Sequence, residues 1–366
     1  NLLSEENDNA LKIGLLAPLS GEYKELGNSL LYSLQLALNE INDKNVYIIP
    51  QDSGSNNKKK LNEAVKEIRS KDVNIVIGPI NNEDFEEVKK FNDVVFISPS
   101  NIDPEFQQNI ISIGISFESQ MMALVKFIKK QKKNKTVILI PKKNYKNLIE
   151  KKLDKLNLNE YKIFKYNPDP KILTGEIEIL TNYSQRKKKL KLRKKMFEDK
   201  DDEQSKRQLK KLEQKYTIGD VNFDSVIVID FGDSLKSVLA SLIFTDVNQD
   251  KVLFATVNQW FDESIFYENT IKNLYYPSVN YKQFSKYKEN YFKTFKNFPS
   301  EITILTYDAI GLIYYFWKKN GKINSVNDFT FKGKIKGKIG TFSFINNEVV
   351  QKLNIYKVSN KKFMKF

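Results

Sequence analysis

Short apolar runs alternate with longer stretches of helical spacing over most of the chain. The run Leu11–Ala17 is followed by Pro18-Leu19-Ser20-Gly21, and then by residues 27–41, where Leu30, Leu31, Leu34, Leu38 and Ile41 recur at the three- and four-residue steps of one helix face. This predicts a strand, a loop and a helix. Apolar runs at 46–49, 73–77 and 94–97, with helical stretches at 61–68 and 83–91 between them, continue the series. Strands this short and uniformly apolar are buried on both faces, so their sheet is expected to be parallel and covered by helices.

A second series follows a helix predicted at 118–130. Strands at 136–140, 161–164, 225–229 and 252–255 alternate with helices at 145–156, 172–180 and 234–244. Helices at 281–295 and 301–319 come next, and then a β-rich ending in which 340–344 and 353–358 are expected to pair as a hairpin through Asn346-Asn347. Two such series in 366 residues fit two α/β domains, at about 100 to 200 residues each.

One segment breaks the rhythm. Leu180, Tyr183, Leu190, Phe197, Leu209, Leu212 and Tyr216 form a sparse apolar stripe in a highly charged stretch, with an acidic break at 199–203. Two solvated helices folded back on each other over 183–214 are expected, with a stripe too thin to belong to a core. An arm contacting nucleic acid or a membrane is the alternative.

Composition removes most chemistry. The chain has no His and no Cys, which excludes a Ser-His-Asp triad, a Cys nucleophile and the usual imidazole or thiolate zinc site. Carboxylate catalysis or an oxygen-ligand Mg or Ca site would need acids clustered at a defined spacing, and the sequence shows no such cluster. The expectation is a protein that is not an enzyme and has no cofactor or metal. The net charge of +15 is partly local, since 186–215 holds fourteen basic residues against six acidic ones. Lys, Asn and Ile are heavily used everywhere, which points to compositional drift, so no nucleic-acid partner is expected. No apolar run approaches the roughly 20 residues that span a bilayer. Residues 1–10 are polar without periodicity and read as a flexible lead.

Several motifs resemble a known family. Lys12-Ile13-Gly14-Leu15-Leu16-Ala17-Pro18-Leu19-Ser20-Gly21 with Gly27, then Ile77-Gly78-Pro79, Ile97-Ser98-Pro99, Tyr307-Asp308-Ala309 and Gly340-Thr341-Phe342-Ser343-Phe344, resemble in order the type I periplasmic binding proteins of the leucine/isoleucine/valine-binding group. Leu180-Thr181-Asn182-Tyr183, Arg186, Asp201-Asp202-Glu203, the stretch 219–224 and Trp260-Phe261-Asp262 are similar to one branch, the penicillin-binding protein activator lipoproteins. The resemblance implies two lobes joined by three crossovers, each a mostly parallel sheet flanked by helices: 11–116 with 278–334, and 117–277 with 335–366. It also implies a periplasmic location. Lipoproteins of that branch begin at a lipidated Cys, so membrane attachment is expected only through an anchor outside this Cys-free chain.

Ligands of open parallel sheets bind beyond the carboxyl ends of the strands. That rule selects Ser20, Tyr23, Asp52, Asn81, Asn82, Ser98 and Ser100 in the first series, and Asn144, Tyr145, Asp230, Asn258, Gln259 and Trp260 in the second. Helix capping is the alternative role for the Ser, Asn and Asp residues, and hinge packing for Tyr145 and Trp260. By resemblance, Ser98 and Ser100 match hydroxyls that hold a ligand carboxylate, and Tyr145 matches a second-lobe Tyr. Asn81 and Asn82 replace a Ser, and 258–260 lacks the acid that would pair with an ammonium. The expectation is a non-enzymatic regulator of peptidoglycan synthesis whose partner is a peptidoglycan synthase. The alternative is a solute receptor for amino acids or a related small polar ligand, serving an ABC permease.

Overall fold

The apolar runs become buried strands, and the helical stretches cover them. The structure is a computed structural model of the chain, and it describes residues 10–80, 84–100, 109–143, 146–156, 158, 161–259, 268, 270–300, 302–329, 333–338, 341–345, 348–359 and 362–365. In chain order the first elements are β1 (Leu11–Ala17), α1 (Lys24–Ile41), β2 (Val46–Asp52), α2 (Lys58–Arg69), β3 (Ile75–Ile77), α3 (Phe85–Val88), β4 (Val95–Ser98), β5 (Ile110–Ser112) and α4 (Phe117–Lys130). Then come β6 (Thr136–Pro141), α5 (Lys146–Lys155), β7 (Lys162–Tyr166), α6 (Pro170–Leu180), α7 (Tyr183–Glu198), α8 (Glu203–Glu213), β8 (Ser225–Val228), α9 (Gly232–Phe244), β9 (Leu253–Thr256) and β10 (Leu274–Ser278). The chain ends with α10 (Tyr281–Phe295), α11 (Thr303–Asn320), β11 (Lys334–Lys336), β12 (Thr341–Ile345), β13 (Glu348–Gln351), β14 (Asn354–Ser359) and β15 (Lys362–Lys365).

The chain divides into two compact units, Asn1–Gln120 with Ser278–Asn354, and Met121–Pro277 with Ile355–Phe366. In the first unit five strands run in the order β2-β1-β3-β4-β5, with every neighbouring pair parallel. Leu16, Val65, Ile68, Val76, Phe85 and Phe96 meet on one face of that sheet with almost no exposure. Ser33 of α1 donates to the Thr303 carbonyl of α11 at 2.6 Å, and the Tyr287 hydroxyl of α10 donates to Ser33 at 2.9 Å, so the three helices share one polar tie inside an apolar face.

The second unit holds seven strands in the order β15-β14-β10-β9-β8-β6-β7. From β7 to β10 all pairs are parallel, and β14 pairs antiparallel with β15. Tyr166, Leu173, Val228, Leu239, Phe254 and Tyr276 belong to its core. The fold is therefore α/β with two mostly parallel sheets flanked by helices, as the alternation of apolar runs and helical spacing implies. Both sheets repeat one winding: the first strand lies second in order, and the chain reverses direction between the first and third strands, at β1/β3 and at β6/β8. Open sheets of this kind form their ligand crevice at that reversal.

Glycine sets the approach of α1 to the loop after β1. A Cβ on Gly27 would fall 2.1 Å from the Pro18 carbonyl oxygen, and one on Gly78 2.3 Å from the Leu16 oxygen, so both positions admit only a bare backbone.

Three sequence expectations need correction. Residues 340–344 and 353–358 do not pair with each other. Instead β12 pairs with β13, Ile345 opposite Glu348, and with β11 in a separate three-stranded antiparallel sheet, while β14 joins the large sheet. The run nearest a turn closes the hairpin at the lowest loop cost, and Asn346 and Asn347 lie outside the described residues. The sequence pattern marks none of β5, β10, β11, β13 and β15: β5 and β11 are only three residues long, β13 and β15 only four, and β10 (LYYPS) contains a proline that argues against a strand. The stripe of 183–214 also reaches the core at its base, where Arg186 and Leu190 are buried.

Candidate ligand-binding loops

In the first unit, Asp52 ends β2 and organises the loop after β1. Its Oδ1 accepts the N–H groups of Leu19 at 2.8 Å and Gly54 at 2.9 Å, while Oδ2 accepts the Lys60 ammonium at 2.5 Å. Lys60 also donates to the Ser20 hydroxyl at 2.8 Å. The Ser55 hydroxyl donates to the Ser20 carbonyl at 2.9 Å and accepts the Tyr23 N–H at 3.0 Å. Partial burial alone would raise the Asp52 pKa, but Lys60, the Ser20 hydroxyl and the two backbone N–H groups outweigh it and hold the carboxyl at about 2. Ser20 is thus fixed from both sides, and the Tyr23 ring remains 44% exposed at the start of α1.

Ser98 closes β4 and is fully buried. Its hydroxyl donates to the Pro79 carbonyl at 2.6 Å and accepts the Ser100 N–H at 3.1 Å, and Ser112 donates to the Ser100 carbonyl at 2.9 Å. The one hydroxyl proton of Ser98 is therefore used to join the loops after β3 and β4. Asn81 and Asn82 lie outside the described residues.

In the second unit, Asp230 follows β8 at the reversal of strand order and is fully buried. Oδ1 accepts the Lys143 ammonium at 2.7 Å and the Phe231 N–H at 2.9 Å, and Oδ2 accepts the Tyr166 hydroxyl at 2.5 Å and the Ser234 hydroxyl. A carboxylate offers about four lone-pair sites, and four donors occupy them. Gln259 donates to the Asp230 backbone carbonyl at 2.9 Å, and Asn258 donates to the Pro277 carbonyl at 3.1 Å, so both amides brace the ends of β8, β9 and β10. Asn144, Tyr145 and Trp260 lie outside the described residues. Sequence reasoning missed Lys143 and Tyr166. The signal for Lys143 was its place just after β6, on the other side of the same reversal.

Arg186, at the root of α7, is a structural arginine. Its guanidinium donates to the carbonyls of Gly219 at 3.0 Å, Thr245 at 3.0 Å and Asp246 at 2.8 Å, and to the Thr217 hydroxyl at 2.8 Å. Burial lowers its pKa, with Asp246 and Asp220 opposing. Beyond it, none of the seven cations from Lys187 to Lys195 forms an ion pair among the described residues. Among those residues no cluster of three acids suits a metal, and no helix is long and apolar enough to cross a membrane.

Residues 10–147 match the family described as periplasmic binding protein. Over nearly the whole chain the fold matches that of the leucine-binding protein LivK from Thermotoga maritima, with a TM-score of 0.65, 12% identity and 98% of each chain covered. The chain has the type I periplasmic binding protein fold. The substrate-binding protein LivJ from Streptococcus pneumoniae, solved with isoleucine, shares it at 17% identity and a TM-score of 0.60, covering 98% of this chain and all of that one. So does the C-domain of LpoA from Haemophilus influenzae, a regulator of PBP1A, at 12% identity and a TM-score of 0.59, covering 97% of this chain and 99% of that domain. No curated protein sequence matches the chain. The binding-protein fold thus carries both solute receptors and a regulator, and function has to be argued from the loops.

Proposed function

We propose that this chain is a non-catalytic regulator of peptidoglycan synthesis that acts by contact with a peptidoglycan synthase, and that it does not serve as a receptor for free amino acids. The observation that carries this reading is Asp230. It follows β8, the strand paired with β9, whose end carries the position where a ligand ammonium would need a partner, and its carboxylate is already filled by Lys143, Tyr166, Ser234 and a backbone N–H. An ammonium bound in a dry site without a carboxylate costs several kcal/mol, on the order of the penalty for any uncompensated buried ion. A protein that works through its surface needs no such site. The α7–α8 hairpin, with the unpaired cations of α7, supplies a surface, and the likeness to the LpoA C-domain supports the same reading.

Calorimetric titration with leucine, isoleucine and valine is expected to show no binding tighter than about millimolar, a free energy of about −4 kcal/mol. Added to a bifunctional peptidoglycan synthase of its own organism, the chain is expected to raise the rate of glycan polymerisation or cross-linking. An unchanged synthase rate would overturn the proposal. Micromolar leucine binding that is lost in Asp230→Asn would replace it with a receptor that feeds an ABC permease.

A further inference from the structure

The first unit carries a second candidate site, away from the loops described above. Residues 36–41 of α1, together with α10, α11 and residues 335–338, enclose a groove of about 990 Å3. Because α1 runs back from the carboxyl end of β1, this part of it lies towards the amino ends of the strands, opposite Ser20 and Tyr23.

Tyr307, Gly311 and Tyr315 follow one another at four-residue steps along α11, and all three line the groove. Glycine inside a helix costs about 1 kcal/mol relative to alanine. At Gly311 neither a turn nor a close neighbour requires it, since a Cβ there would meet nothing within 4 Å. The bare backbone between two tyrosines leaves a slot with room for a flat ring, and Leu36, Ile41 and Leu312 add apolar lining.

The charges in the groove are not balanced. Glu40 accepts the Tyr307 hydroxyl and the Lys338 ammonium, and Asp308 accepts the Lys338 N–H at 2.8 Å, so both acids are engaged. Lys286 and Lys336 line the same groove and pair with no carboxylate among the described residues. Apolar and aromatic walls beside spare cations suit an aromatic ligand that carries negative charge.

We propose that this groove binds a small, flat aromatic anion, with its ring over Gly311 between Tyr307 and Tyr315 and its charge at Lys286 and Lys336. The site is independent of the regulator reading and does not use the strand-end loops.

The probe is 8-anilinonaphthalene-1-sulfonate, titrated into the full chain and followed by fluorescence. Saturable one-to-one binding with blue-shifted emission is expected. Gly311→Leu fills the slot with a better helix former, so it should weaken binding at least tenfold without lowering thermal stability. The surface pair Lys286→Glu with Lys336→Glu should also weaken it at least tenfold, and the uncharged analogue N-phenyl-1-naphthylamine should bind at least tenfold more weakly than the sulfonate. No binding by the native chain, or a titration unchanged in Gly311→Leu, would overturn the site. Equal binding of the charged and uncharged probes would overturn the anion assignment.

Discussion

Arg186 shows how little a residue's type says about its task. It is one of fourteen basic residues in a charged stretch, yet its planar fork satisfies three carbonyls and one hydroxyl in the body of the second unit. Removing it leaves those acceptors without their donor, at about 1 to 3 kcal/mol for each one that water cannot reach. Arg186→Ala is therefore expected to lower the free energy of unfolding by about 2 to 4 kcal/mol in a urea titration. Arg186→Lys should recover only part of the loss, because a point charge cannot replace the fork. A loss below about 0.5 kcal/mol for Arg186→Ala would contradict the role given to it. Asp230 teaches the same lesson, because the sequence offers it as a free acid and the fold supplies Lys143 as its partner.

Among the elements, α7 and α8 differ from the rest. Most buried strands and core helices read clearly from spacing because each buries an apolar face, whereas these two bury little beyond Arg186, Leu190 and Ser205. Their outer turns should be dispensable for folding. Replacing 191–213 by a short Gly-Ser linker is expected to leave the thermal midpoint within a few degrees of the native value. A deletion that begins at Tyr183 should destabilise the protein, because it takes Arg186 and Leu190 with it. Equal midpoints for the two deletions would show that the base of α7 anchors nothing. If the hairpin is the contact surface for the synthase, the shorter deletion should also abolish stimulation while the fold persists.

For the whole molecule, the absence of His and Cys fixes the pH response. No side chain has an ordinary pKa between the carboxylates near 4 and the tyrosines and lysines near 10. Stability should therefore be flat from about pH 5.5 to 8.5. Asp52 is held at about 2, chiefly by Lys60 working against burial, and Asp43 at about 2 by Lys318, the Asn45 N–H and Tyr314. Lys338 and Tyr307 lower the Glu40 pKa in the same sense. Each is depressed in the folded state, so its stabilisation is complete above about pH 5 and is lost progressively as the pH falls below that. Asp52 contributes on the order of 1 kcal/mol after solvent screening. Thermal midpoints measured from pH 2 to 9 should show a plateau and an acid decline, and a step near pH 6.5 would contradict the assignment.

The amino-acid sequence determined the fold class, because burying a strand or a helix face demands a local pattern and that pattern is written in consecutive residues. It also determined what chemistry is missing, since an absent imidazole or thiol cannot be supplied by folding. Tertiary structure decided which polar groups remain unpaired. Lys143 and Asp230 stand 87 residues apart and Arg186 and Thr245 59 apart, while Tyr307, Gly311 and Lys286 meet in one groove from two helices. Hydrogen-bond partners and cavities depend on distances that no local pattern encodes.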